Sequence, residues 1–330
     1  MTSPILVTGG AGYIGSHICK MLAERGTLPV CLDTLEKGNA WAVKWGPLVK
    51  GDIGDRNCLA DLFEKYRFKA IIHLAGYIEV GESVLQPERY LANNTTKSLL
   101  LLKEAIRHQV QDFIFSSTCA VYGEPITALL AECHRVQPLN PYADSKALVE
   151  AALLQAAETS PLRAVSLRYF NASGADRSAE IGEAHIPETH LVPLAIDAAL
   201  GVRPPLTLFG DDFDTPDGSC IRDFVHVSDL SAAHLCALDW IQRRSQKGQF
   251  HSFNIGSGSG YSVFEVLKRI EDVSRSRVPF SIGKRRPGDS SRLVADIGKA
   301  QQNLAWAPCR NLDQQLEDAL RWRRLMHRTT

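Results

Sequence analysis

Tyr142 and Lys146 stand four residues apart in the segment Asn140-Pro141-Tyr142-Ala143-Asp144-Ser145-Lys146, 24 residues after Thr118. On a helix that spacing leaves about 40° of rotation between the two side chains, so phenol and ammonium share one face. A cation held beside a phenol stabilises the phenolate. The spacing therefore predicts a Tyr142 pKa pulled below its usual value of about 10, giving a base usable near neutrality. Tyr-x-x-x-Lys is short enough to occur on an ordinary surface helix, so its meaning depends on what the rest of the chain positions around it.

The N-terminal segment supplies that context. Ile5-Leu6-Val7-Thr8 reads as a short buried strand running into Gly9-Gly10-Ala11-Gly12-Tyr13-Ile14-Gly15, and residues 16–25 have helical apolar spacing at Ile18 and Leu22. Strand, glycine turn and helix together make a dinucleotide-binding signature: the glycines let the backbone turn tightly and approach a pyrophosphate, which the helix N-terminus holds. A second apolar strand over 29–32 ends in Asp33, 18 residues beyond Gly15. An acid there accepts hydrogen bonds from ribose hydroxyls and repels a 2′-phosphate, which predicts NAD rather than NADP. Thr34-Leu35-Glu36-Lys37 offers one cation and no arginine to such a phosphate.

Further along, the chain alternates. Strands are predicted over 47–50, 69–76, 112–117 and 164–169, and helices over 57–66, 84–108 (interrupted in character by Pro87 near its start) and 141–158. That order implies an α/β fold, a Rossmann-type doubly wound parallel sheet with ligands gathered at the strands' carboxyl ends. Thr8, Asp33, Asp52, Ala75, Ser117 and Tyr169 should lie along that edge. From about residue 172 the pattern turns irregular, with acidic and proline-containing loops such as 210–218. The predicted organisation is an NAD-binding domain over 1–171 and a smaller mixed α/β substrate-binding domain over 172–330, with elements in 222–255 returning to the first.

Composition narrows the function. The 330 residues carry 37 Lys and Arg against 37 Asp and Glu, with no basic run, so there is no electrostatic footprint for nucleic acid or an anionic membrane. No apolar stretch approaches the roughly 18 residues needed to span a bilayer, and with the first strand starting at Ile5 a cytoplasmic protein is expected. Eight dispersed cysteines form no C-x-x-C pair, and the ten histidines show no metal-ligand spacing, so neither a disulfide framework nor a metal site is expected.

The longer runs carry a resemblance. Val7-Thr8-Gly9-Gly10-Ala11-Gly12-Tyr13-Ile14-Gly15-Ser16-His17, Gly81-Glu82-Ser83, residues 115–123 (FSSTCAVYG), Pro141-Tyr142-Ala143-Asp144-Ser145-Lys146, Leu167-Arg168-Tyr169-Phe170-Asn171 and residues 217–227 (DGSCIRDFVHV) make the chain similar to the extended short-chain dehydrogenase/reductase family and, within it, to the UDP-glucose 4-epimerases. The last of these runs is the most specific. The resemblance implies that NAD contacts Gly9, Gly12, Tyr13, Ile14, Gly15, Asp33, Asp52, Ile53, Leu74, Ala75, Asn93, Ser116, Tyr142, Lys146 and Tyr169. It implies a UDP-sugar held by Thr118, Tyr142, Asn171, His190, Leu191, Leu208, Arg222, Arg286, Asp289 and Leu293, with the two arginines clamping the diphosphate. Ile78 and Lys97 depart from residues that some relatives carry near the cofactor. His190 replaces an asparagine of some relatives, and Leu293 a tyrosine or smaller residue of others.

By this resemblance Thr118, Tyr142 and Lys146 are catalytic: Tyr142 takes the hexose 4-hydroxyl proton while hydride leaves C4 for NAD, and the 4-keto sugar turns over before hydride returns. Relatives that eliminate water need an acid beside the threonine, whereas Cys119 and Ala120 follow Thr118 here. The alternatives are a 4-epimerase of another UDP-sugar and a non-catalytic nucleotide sensor on the same fold. Leu99-Leu100-Leu101-Leu102 and the apolar positions of 148–154 suggest a homodimer through two helices, or equally a core stripe.

Overall fold

The computed structural model describes residues 3–286 and 289–328. In chain order its strands are β1 (Ile5–Thr8), β2 (Pro29–Asp33), β3 (Leu48–Lys50), β4 (Ala70–His73), β5 (Asp112–Thr118), β6 (Arg163–Tyr169), β7 (Asn171–Ser173), β8 (Leu206–Phe209), β9 (Ile221–His226), β10 (Gln249–Ile255), β11 (Gly260–Ser262), β12 (Phe280–Gly283) and β13 (Arg292–Leu293). The helices are α1 (Tyr13–Glu24), α2 (Arg56–Lys65), α3 (Val80–Leu85), α4 (Pro87–Tyr90), α5 (Lys97–Arg107), α6 (Pro141–Thr159), α7 (Leu191–Ala199), α8 (Val227–Gln242), α9 (Val263–Ser274), α10 (Gly298–Leu304) and α11 (Leu312–Met326).

Seven parallel strands form one sheet in the order β10-β6-β5-β4-β1-β2-β3. Because successive strand residues face opposite sides, the apolar runs feed two cores. Ile5, Val7, Ile72, Ile114 and Val165 pack on the face covered by α1 and α8, and Leu6, Ile71, Phe113, Phe115 and Ala164 on the face covered by α2, α5 and α6. This is the doubly wound Rossmann arrangement, with its switch point between β1 and β4, where a crevice must open at the carboxyl ends. A second sheet centres on β9, which pairs with β7, β11 and β13, and β8 pairs with β12. Beneath them Val192, Ile196, Leu208, Phe224, Val266 and Leu316 form a separate core.

One predicted element is corrected. The helical segment over 84–108 is interrupted at its start as Pro87 implies, Gln86 leaving the helical region with a φ of −133°, but residues Leu91–Thr96 also adopt a π-helical turn before α5 begins, which the spacing does not predict. A proline forces the residue before it out of the helical region, and an inserted π-turn rotates the following side chains. That rotation brings Asn94 and Thr95 onto α6: Asn94 Nδ2 donates to Ser145 Oγ at 3.2 Å and Thr95 Oγ1 to the Ser145 carbonyl at 3.1 Å. Among the described residues no helix is long and apolar enough to cross a membrane.

Candidate active site

At the switch point β1 ends in Thr8 and the chain turns through Gly9 at φ +70°, where an L side chain is strained. A Cβ on Gly9 would stand 2.8 Å from the Ala75 nitrogen, and one on Gly15 would stand 2.2 Å from the Gly9 carbonyl oxygen. Bare backbone is thus what lets β1, β4 and α1 close together. No side chain caps α1 at Gly12, and Tyr13, Ile14 and Gly15 of its first turn line the cavity, an arrangement suited to a diphosphate.

Asp33, at the end of β2, accepts from Ala11 N at 3.0 Å and Leu35 N at 2.9 Å, and burial nevertheless holds its carboxyl above the ordinary range. The cations near it already face acids. Lys37 Nζ lies 3.7 Å from Glu79 Oε1. Arg89, which the fold brings in from α4, sits 2.9 Å from Glu36 and 2.7 Å from Glu82, over the Tyr77 ring at 4.3 Å. Asp52 accepts from Gly54 N at 2.7 Å and pairs with Lys97 at 2.6 Å, beside the buried Ile53. Leu74, Ala75, Ile78 and Asn93 complete this end of the cavity.

The facing wall is built by β5 and α6. Asn140 caps α6 by accepting from Ala143 N at 2.9 Å, and Pro141 occupies the first turn, so the helix starts immediately before Tyr142. Tyr142 and Lys146 line the cavity together with Ser116, Thr118 and Tyr169. Ser116 Oγ and the Tyr169 hydroxyl are hydrogen-bonded. The Lys146 ammonium donates to the Ser116 carbonyl at 2.9 Å and lies 6.0 Å from the centre of the Tyr142 ring. Lys146 is 3% exposed, and burial pulls its pKa down to about 8.

The expected lowering of the Tyr142 phenol is not found in the polypeptide alone. Burial pushes it up, the neighbouring Tyr169 adds to the rise, and the hydrogen bond with Thr118 opposes it only in part. Desolvation of a phenolate costs more than an ammonium aimed at a backbone carbonyl returns. Ionising Tyr142 therefore calls for further positive charge in the cavity.

Behind this wall lies a network that reading residue spacing missed. Glu150, one helical turn beyond Lys146 on α6, accepts from Ser117 Oγ at 2.5 Å and from Arg168 Nε at 3.0 and 3.1 Å. Arg168 Nη1 donates to the Tyr122 hydroxyl at 3.1 Å, which donates to Asn254 Oδ1 at 2.6 Å. Strands β5, β6 and β10 are thereby tied to the helix that carries the Tyr/Lys pair. His73 is held between Thr8 at 2.6 Å and Ser98 at 2.7 Å, and burial lowers its pKa to about 3, so it is neutral.

The residues assigned to the substrate fall into two groups. Asn171 and His190 line the same cavity, with His190 preceding α7 and Leu191 opening it. Arg222, Arg286, Asp289 and Leu293 gather instead around β9 and β13, while Leu208 lies on β8 in the core shared with Phe224. Arg222 and Leu293 are paired across β9 and β13, and the charges of Arg222, Arg286 and Asp289 all act on the Cys220 thiol. Arg286 itself pairs with Asp289 at 3.0 Å and lies over Phe209 at 4.7 Å. Leu293 joins the groups by packing against the apolar cluster that contains Cys119 and Phe170, the neighbours of Thr118 and Asn171.

Two histidines and two glutamates that are not neighbours by any regular spacing also come together. Glu183, His185, Glu188 and His190 present one ligand atom each within 4.8 Å of one another. Their spacing fits no helical or C-x-x-C signature; the loop between β7 and α7 folds them together, which periodicity cannot reveal. Burial alone would lower both imidazoles, but Glu183 and Glu188 more than offset it, raising His185 to about 9 and His190 to about 10.

Residues 5–256 match the NAD dependent epimerase/dehydratase family. The chain is 48% identical over 320 residues to the UDP-glucose 4-epimerase of Rhizobium meliloti, covering 96% of each. Its structure superposes with a TM-score of 0.95 and 36% identity on the UDP-glucose-4-epimerase of Stenotrophomonas maltophila solved with NAD and formylated UDP-arabinopyranose, covering 100% of both chains. The NAD-bound UDP-glucose 4-epimerase from Brucella ovis gives a TM-score of 0.93 at 41% identity, covering 97% of this chain and 98% of that one. With the glycine cradle, the switch-point cavity and the Thr118, Tyr142 and Lys146 wall all present, the chain belongs to the NAD dependent epimerase/dehydratase family.

Proposed function

We propose that the chain interconverts UDP-galactose and UDP-glucose by inverting the configuration at C4 of the hexose. The observation that carries this reading is that Thr118, Tyr142 and Lys146 line the same cavity as the bare-backbone glycine turn and Asp33. The first turn of α1 would hold the diphosphate of NAD, Asp33 its adenosine ribose, and Lys146 its nicotinamide side. When bound, NAD supplies the acceptor and donor of the hydride at C4 and a positive ring that favours the Tyr142 phenolate.

Thr118 orients the 4-hydroxyl toward Tyr142, and Tyr142 takes its proton and later gives one back. The 4-keto sugar has lost its stereocentre; once it has turned about its diphosphate link, its opposite face is toward the nicotinamide side, so that taking back the hydride at C4 and a proton from Tyr142 on oxygen would give the inverted alcohol. Asn171, His190 and Leu191, with Leu208, Arg222, Arg286, Asp289 and Leu293, form the UDP-sugar side. Arg286 would exchange its pairing with Asp289 for the diphosphate. Cys119 and Ala120 leave no carboxylate beside Thr118 to protonate a leaving hydroxyl, which argues against dehydration.

Incubating the purified protein with UDP-galactose and no added reductant should produce UDP-glucose. Failure to interconvert the two would overturn this reading, and turnover of a different UDP-sugar alone would replace its substrate; the place of Leu293 against the cluster that follows Thr118 is what makes that second reading specific.

The same proposal divides the chain near residue 171 into a nucleotide part and a UDP-sugar part, with 222–255 rejoining the first, and places the protein in the cytoplasm. It includes a homodimer. Leu101 and Leu102 are buried in the core, whereas Leu99 and Ile106 of α5 and Leu148 and Leu154 of α6 remain exposed on two helices in contact with each other. A self-complementary four-helix contact would cover them. Sedimentation at the mass of one chain at micromolar concentration would exclude it.

A further inference from the structure

We propose that Glu183, His185, Glu188 and His190 bind a single divalent cation of the zinc type, as a closed structural site that fastens the loop between β7 and α7. The four facing atoms are the Nδ1 nitrogens of both histidines and the Oε1 oxygens of both glutamates. His190 Nδ1 lies 2.8 Å from Glu183 Oε1 and 3.2 Å from Glu188 Oε1, and His185 Nδ1 lies 3.2 and 3.7 Å from the same two atoms. Around a tetrahedral ion with ligands at about 2.0–2.1 Å the edges are roughly 3.3 Å, so small adjustments would accommodate the ion. Two imidazoles and two carboxylates are a ligand set that zinc accepts, and four protein ligands leave no open position for a catalytic water.

A second observation points to a ligand. Glu183 and Glu188 are 5% and 8% exposed, and while Glu188 Oε1 accepts from Thr189 N at 2.9 Å and His190 N at 3.1 Å, the buried Glu188 Oε2 finds no hydrogen-bond partner. Buried polar atoms left unsatisfied in an otherwise well-bonded fold mark a missing partner. Two buried carboxylates also require two positive charges nearby, which one divalent ion supplies. The site touches the cofactor end of the cavity, since the His185 ring packs edge-on to Tyr13 of α1 at 6.4 Å. An ion there would lock His190 and the start of α7 against the glycine turn. The competing arrangement holds the quartet with two imidazolium protons and no ion.

Untagged protein, stripped with a chelator and dialysed, is titrated with zinc chloride by calorimetry, and its metal content is measured by mass spectrometry after removal of excess ion. The expected result is about one ion per chain, with the cobalt-loaded protein showing the visible absorption of four-coordinate cobalt. His185→Asn and Glu188→Gln should each weaken zinc binding by at least about 100-fold, no less than the upper range for loss of an outer-shell partner. Their circular dichroism should match the parent, and if one variant misfolds the other carries the test. Less than a tenth of an ion per chain, or binding unchanged in both variants because zinc sits on the exposed Cys133 or Cys309, would overturn the site.

Discussion

The Lys146 ammonium is hydrogen-bonded to the Ser116 carbonyl at 2.9 Å rather than to the phenol of Tyr142. It is anchored to β5 while projecting from α6, and its desolvated charge is a standing cost to the fold. In the unfolded chain this lysine titrates near 10.5 and in the cofactor-free fold near 8. Between those values the unfolded chain holds the proton and the native chain does not, so stability rises with pH across the window. Below about pH 8 both states are protonated and the cost, on the order of 3 kcal/mol, is fully present. The expected outcome for NAD-free protein is a wild-type stability that gains on Lys146→Met from pH 8 to 10.5 in denaturant titrations. A constant difference between the two proteins would show that Lys146 is not buried as a cation.

Tyr142→Phe removes the proposed base and leaves the cavity's shape. Turnover should fall by at least about 10², the lower end for general-base catalysis, while folding and NAD content stay near wild type. Near-normal turnover would remove Tyr142 from the chemistry. Loss of the fold would mean that its contact with Thr118 is structural.

Glu150 lies in the interior with Arg168, and breaking such a pair from one side leaves a buried charge unmatched. Glu150→Leu should therefore destabilise the protein by about 3–5 kcal/mol, and adding Arg168→Met should recover much of that loss. Because Ser117 and α6 meet through Glu150, the single variant should also turn over more slowly than its residual stability explains. Denaturation curves for both variants, read beside rates at a temperature where each is folded, decide this.

What the sequence made legible is what is local. A strand, a glycine turn and a helix occupy adjacent residues at β1 and α1, and Asn140-Pro141 announces the start of α6 with Tyr142 and Lys146 already on one face. Pairings across the sheet leave no such trace. Glu150 and Arg168 read as ordinary polar positions of a helix and a strand until β5 and β6 set them behind Thr118. Arg89 reaches Glu36 from a distant helix. The phenol's pKa rises where the spacing predicts a fall, because spacing reports which face a cation shares and says nothing of the desolvation met there.

Cofactor choice rests on Asp33 and on cations that are already engaged. With Lys37 facing Glu79 and Arg89 facing Glu36 and Glu82, a 2′-phosphate would enter a region without spare positive charge. Protein denatured after purification should release NAD, and Asp33→Ala should narrow the preference for NAD over NADP. Mass analysis of the released nucleotide settles it, and mainly NADP would show that Lys37 or Arg89 leaves its acid partner.

The choice of sugar turns on Leu293. It is partly buried, paired with Arg222 across β13 and β9, and packed against the apolar cluster that contains Cys119 and Phe170. From that position its side chain would close the space around C2 of a hexose held at Thr118, crowding a 2-acetamido group. Leu293→Gly should then raise the rate with the UDP-N-acetylhexosamine relative to the UDP-hexose. A change of a few methylenes in such a pocket is worth about 1–3 kcal/mol, so the ratio should move by roughly tenfold and at most about two-hundredfold. Both substrates are to be present together, so that loss of stability at the cluster lowers both rates alike and cancels. A ratio that stays fixed would mean that Leu293 only packs against that cluster, and would move the choice of sugar to His190 and the loop that carries it.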